Sequence, residues 1–169
     1  MKNIIMSILP FITVFAVLGN LQAAGKPKVH FKTTLGDFTV ELEPDKAPQT
    51  VANFLQYVRA GHYDGLIFHR VIKAFMVQGG GFDEAYTKTP TSGPIENEAD
   101  KGLPNERGTI AMARTGDPHS ATNQFFINVK YNAFLNHQSK SQQGWGYTAF
   151  GRVIDGMNIV GRISRLETG

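Results

Sequence analysis

Positions 68–82 read FHRVIKAFMVQGGGF, and no other stretch constrains the fold as tightly. The pattern predicts two strands joined by a turn at Lys73 and Ala74. Side chains alternate along a strand, so Phe68, Arg70 and Ile72 share one face of the first. Met76 and Gln78 share one face of the second, with Phe75 at the turn. Arg70 and Gln78 then point the same way, close to Phe75 and Met76. An arginine side chain carries five donors in a fixed fork and stays charged at any working pH. Such a group is costly to hide unless it is paired or meant for a ligand. The glycines at 79–81 let the backbone bend where side chains would block it.

The flanking sequence supports a β-rich domain. Val29 to Thr33 and Phe38 to Leu42 read as strands joined by a hairpin turn at 34–37. Pro48 suits the first turn of a helix, and Val51, Phe54, Leu55 and Val58 form one apolar stripe behind it, with Gly61 as the stop. Positions 82–107 read as a long loop. Its acidic residues Glu96, Glu98 and Asp100 lack the ligand spacing of a calcium loop and are expected to be solvated. Strands follow at 108–115 and 124–129, and a glycine-bent one at 144–154. Met157, Val160 and Ile163 give a second short helix. Many short strands with few helices indicate a barrel or sandwich. Phe125 and Phe126 face opposite ways, so one is core and the other is free to line a groove. His69, next to Arg70, faces away from it.

The chain has 169 residues and a formal net charge of +3, with no run of basic residues, so a nucleic-acid footprint is not expected. Positions 1–24 begin with Lys2, continue through an apolar run from Ile4 to Leu18 and end in small residues. That order is a secretory signal peptide, short and interrupted for a membrane span. Its removal would leave a domain at 27–169 with no stable membrane association. The expected location is the periplasm, or the medium if the organism has no outer membrane. There is no cysteine, which rules out thiol chemistry and disulfides. The five histidines show no metal-site spacing.

The 68–80 stretch resembles the signature of the cyclophilin family of peptidyl-prolyl cis-trans isomerases and matches each of its fixed positions. Two further segments resemble the family: Ser120 to Ile127, ending in Gln-Phe-Phe-Ile, and Phe150-Gly151-Arg152-Val153 leading to Gly156-Met157. Together they cover roughly positions 29–163 and look like the exported bacterial branch. The resemblance implies a closed eight-stranded antiparallel β-barrel capped by two α-helices. It implies that Arg70 is the catalytic residue. It assigns Phe75, Met76, Phe126 and Leu135 to a proline pocket, and Gln78 and Gln124 to the substrate backbone. Ala113 and Arg114 match positions whose backbone meets the residue before proline. No metal or cofactor is implied, and the expected partners are proline-containing unfolded or flexible polypeptides handled by a monomer.

Departures from the family pattern carry expectations of their own. Lys73 and Ala74 replace Pro-Gly at the turn. Phe134 stands where many eukaryotic members have tryptophan, and Tyr147 where they have histidine; both are expected to line the pocket, with weak binding of cyclosporin. The strand that completes the family's barrel lies beyond the last helix and has no counterpart up to Gly169, so either the sequence is truncated before it or the barrel is open at one edge. Two other classes fit parts of the pattern. A chaperone-like peptide-binding module would use the same groove without catalysis. A lipocalin-like barrel would need an apolar cavity, which the many alternating phenylalanines argue against.

Overall fold

A computed structural model describes residues 25–167; the expected signal peptide at 1–24 lies outside them. The strands are β1 (Lys28–Thr33), β2 (Gly36–Leu42), β3 (Arg70–Ile72), β4 (Met76–Gly79), β5 (Thr109–Met112), β6 (Phe125–Asn128) and β7 (Ala149–Asp155). Two helices, α1 (Pro48–Arg59) and α2 (Met157–Ile163), and a 3₁₀ turn at Ala133–Leu135 complete the fold. The strands form one sheet in the order β1-β2-β7-β5-β6-β4-β3, antiparallel at every pairing.

Alternation along these strands sorts residues between two faces. Val77, Ile110, Met112, Phe125, Ile127 and Phe150 point into the main core. Their neighbours Met76, Ala111, Phe126 and Ala149 point to the other face and form a second apolar cluster with Leu135. The split between Phe125 and Phe126 follows directly from the pleat. Phe54 of α1 fills the main core, with its ring 5.2 Å from that of Phe150, 5.7 Å from Phe125 and 5.3 Å from Tyr63. The main core is packed with aromatic side chains.

The closed eight-stranded barrel implied by the resemblance is not confirmed: among the described residues there are seven strands, the sheet ends on β1 and β3, and no described strand joins these edges, in keeping with the missing last strand noted in the sequence. A groove of about 400 Å³ lies between them, lined by Phe31, Leu35, Tyr63, Phe68, Val71 and Leu166 among others. The 144–154 strand is also shorter than expected. Gly146 has φ +73°, and a Cβ there would fall 2.6 Å from the Leu135 carbonyl oxygen. This forces a turn, and β7 begins only at Ala149. Phe68 likewise precedes its strand, which starts at Arg70.

The acidic loop is not simply solvated either. Glu98 is buried and caps α1. The residue before that helix is Ala47, which has no side chain to receive the orphan N–H groups of the first turn. The Glu98 carboxylate receives them instead. Gln49 N donates to its Oε1 at 3.2 Å, while Thr50 N and Thr50 Oγ1 donate to Oε2 at 2.9 and 2.8 Å. Asp100 pairs with Lys140 at 3.4 Å.

His69 does lie opposite Arg70, against the Phe82 ring at 4.7 Å between centroids. Burial, with the neighbouring Arg70 charge acting the same way, holds its imidazole below the usual histidine range. The folded protein therefore favours neutral His69, and the unfolded chain protonates first. Its contribution to stability is complete above pH ~6.5 and declines as pH falls from there toward the lowered folded value. Urea midpoints at pH 7.5 and 5 should separate less in His69→Gln than in the parent; an equal separation would clear His69 of the acid sensitivity.

Candidate active site

The outward cluster of the sheet is the floor of a second groove, of about 280 Å³. It is lined by Arg70, Phe75, Met76, Gln78, Ala113, Arg114, Phe126, Phe134, Leu135 and Tyr147. These come from β3, β4, β6, the end of β5, the 3₁₀ turn and the loop before β7. Ten of the eleven expected site residues thus line one concavity. The eleventh, Gln124, sits beside it and is joined to it by hydrogen bonds.

Arg70 and Gln78 are direct cross-strand partners in the β3–β4 register. Arg70 Nη1 donates to Gln78 Oε1 at 3.3 Å, and Gln78 Nε2 donates to Gln124 Oε1 at 3.0 Å. The chain of donors runs one way. Gln78 spends its acceptor on Arg70 and one donor on Gln124, so each amide has a fixed orientation. Space for Gln124 comes from Gly81, where a Cβ would fall 2.5 Å from the Gln124 amide nitrogen. Arg70 itself is exposed at the groove wall.

The apolar side of the groove is built from stacked rings. Phe134 lies over Phe75 with centroids 5.6 Å apart, and Tyr147 meets the edge of Phe126 at 5.7 Å. Met76, Phe126 and Leu135 are buried, and Phe75 and Tyr147 half-buried. Phe134 is exposed at the rim. A small apolar ring fits against such a surface while the donors of Arg70 stay within reach of atoms attached to it. Arg114 closes the far side. Its guanidinium lies 4.6 Å from the centre of the Tyr147 ring, with Nε donating to Gly146 O at 2.9 Å and Nη1 to Thr115 O at 2.9 Å.

Beneath the groove runs an amide network that sequence reading missed. Asn132 Nδ2 donates to Phe75 O at 3.1 Å and to Asn128 Oδ1 at 2.7 Å. Asn128 Nδ2 donates to Asn105 Oδ1 at 3.1 Å, and Asn105 Nδ2 reaches Leu135 O at 3.2 Å and Tyr147 O at 3.1 Å. Three groove residues are therefore held by their carbonyls. The available signal was Asn128 itself, a polar residue inside the apolar run 125–129.

Comparison with known proteins gives this groove a family. Residues 28–169 match the family model described as cyclophilin type peptidyl-prolyl cis-trans isomerase/CLD. A Streptomyces antibioticus protein, peptidyl-prolyl cis-trans isomerase cyp18, is 59% identical over 141 residues, covering 83% of this chain and 85% of its own. Peptidyl-prolyl cis-trans isomerase B of Escherichia coli is 55% identical over 141 residues, covering 83% of this chain and 86% of its own. A Cryptosporidium parvum cyclophilin type isomerase, crystallised in the presence of the dipeptide Ala-Pro, superposes with a TM-score of 0.70 at 27% identity, over 85% of this chain and 88% of that one. Fold, matched sequence and relatives agree, and the chain belongs to the cyclophilin-type peptidyl-prolyl cis-trans isomerases.

Proposed function

We propose that this isomerase is exported, and that Arg70 drives rotation about X–Pro bonds in unfolded or flexible polypeptides at the groove. The observation that carries the reading is the Arg70–Gln78–Gln124 hydrogen-bonded row along one wall of a groove of about 280 Å³ that is also lined by Phe75, Phe126, Leu135 and Tyr147. An X–Pro bond turns over in tens of seconds or longer because amide resonance sets a barrier of about 18–20 kcal/mol. No covalent intermediate is needed to lower it. As the bond twists, conjugation is lost and the proline nitrogen gains a lone pair. A guanidinium that donates to this nitrogen stabilises the twisted state and has nothing to bind in the planar one, so it lowers the barrier rather than tightening ground-state binding.

The other groove residues have distinct roles in this scheme. Phe75, Met76, Phe126, Leu135 and Tyr147 grip the ring. Gln78 and Gln124 hold the substrate backbone, and the backbone of Ala113 and Arg114 meets the residue before proline. Phe134 covers the rim; with phenylalanine there, cyclosporin binds weakly. The leader sequence supports export, which places the substrates among proteins folding outside the cytoplasm, and no cofactor or second copy enters the scheme. The test is the cis-trans exchange rate of an Ala-Pro peptide measured by NMR with the mature protein, alongside the N-terminal sequence of protein recovered from periplasm and medium. Accelerated exchange and a start near residue 25 are expected. Peptide binding without exchange would reduce the groove to a binding module, and an intact leader on cytoplasmic protein would remove the export.

A further inference from the structure

The groove carries two guanidinium groups and no carboxylate. Neither Asp nor Glu lines it, and among the described residues neither Arg70 nor Arg114 forms an ion pair. Of the two guanidinium groups, the proposed chemistry uses that of Arg70, and it gives Arg114 only a backbone contact. The Arg114 side chain is left unexplained, although the structure holds it firmly. Two backbone carbonyls and the Tyr147 ring fix its guanidinium, and those bonds use two of its five N–H groups. A guanidinium fixed in this way loses little further freedom when it meets a carboxylate, and its fork geometry suits one.

We propose that Arg114 is a specificity residue that selects substrates with an acidic side chain one or two residues from the proline. The position follows from the sheet. Arg114 follows the end of β5 and Arg70 lies on β3, three strands away in the order β5-β6-β4-β3. The β5 residue in register with Arg70 is Ala111, about 14 Å away at about 4.8 Å per strand, and Arg114 lies three residues beyond it, so the two backbones are roughly 17 Å apart, with both side chains lining the groove between them. An extended peptide advances about 3.3 Å per residue. With its proline nitrogen at Arg70, a carboxylate on a nearby residue therefore reaches Arg114, but one on the proline's more distant neighbours does not.

This inference rests on the groove being the isomerase site. The test uses an alanine-rich proline peptide in which Glu or Gln occupies, in turn, each of the two positions before and the two after proline. The Glu-to-Gln ratio of kcat/KM is measured for each position with the parent protein, Arg114→Gln and Arg114→Lys. At one position the parent ratio is expected to be about fivefold, the size of one half-exposed charge pair. The gain should lie in KM and shrink with added salt. Arg114→Gln should bring the ratio to one, whatever happens to the rates themselves, and Arg114→Lys should keep part of it. A residue that merely braced Tyr147 would change all peptides alike. Parent ratios within twofold at every position, or a ratio unchanged in Arg114→Gln, would overturn the proposal. Absence of exchange with the Gln peptides would overturn the isomerase site along with it.

Discussion

Replacing Arg70 by Ala should lower kcat/KM for an Ala-Pro peptide by about 10²–10³, the usual cost of removing one donor aimed at a transition state. The loss should fall on kcat, because the donor acts on the twisted bond and not on the planar one. The fold should survive. Arg70 is exposed, and its hydrogen bond to Gln78 is a long one at 3.3 Å. Stability should change by less than about 0.5 kcal/mol. Arg70→Lys should recover little activity, since an ammonium cannot serve Gln78 and the proline nitrogen with one planar fork. NMR exchange at saturating peptide, together with the chemical-shift change that reports binding, separates the two effects. A variant that binds peptide and isomerises it at the parental rate would mean another group stabilises the twisted bond.

Replacing Glu98 by Ala should produce a large loss of stability for a single polar change outside the groove. Three donors, Gln49 N, Thr50 N and Thr50 Oγ1, lose their acceptor at once, and two of those bonds are buried. Helix caps contribute about 1 kcal/mol, and a buried polar group left unpaired costs about 1–3 kcal/mol. A total near 3 kcal/mol would lower Tm by roughly 6–12 °C for a domain of this size. Glu98→Gln should recover only part of this, because its amide nitrogen would face donors. Thermal scans of Glu98→Ala, Thr50→Ala and the double variant check the account: the double variant should be less destabilised than the sum of the singles, as for any interacting pair. Strict additivity would separate Glu98 from Thr50.

Local pattern made part of this molecule legible. Alternation placed Arg70 with Gln78 and split Phe125 from Phe126, because pleat geometry acts over two residues and needs no knowledge of partners. Pro48 and the stripe behind it marked α1 for the same reason. What sequence missed depends on distance along the chain. Glu98 finds Thr50 across 48 positions, and nothing near either residue indicates the pairing. Its neighbours Glu96 and Asp100 suggested a wet loop, and the two-residue periodicity of a loop is no guide. The asparagine network likewise joins residues 105, 128 and 132, which read locally as part of a loop, a strand and a turn with nothing to link them. The strand expected from 144 failed because glycines signal that a chain bends, and only the packed Leu135 carbonyl decides where.

The carbonyl anchoring of Phe75, Leu135 and Tyr147 separates two things that binding sites usually mix. The backbone path around the groove is set from below by amides of Asn105 and Asn132. The side chains above it only decorate that path. A library that varies residues 75, 114, 134 and 147 would therefore sample new substrate preferences on a constant frame, while one that varied the asparagines would sample new frames and mostly lose them. Specificity in this protein is open to rewriting one letter at a time, without renegotiating the fold.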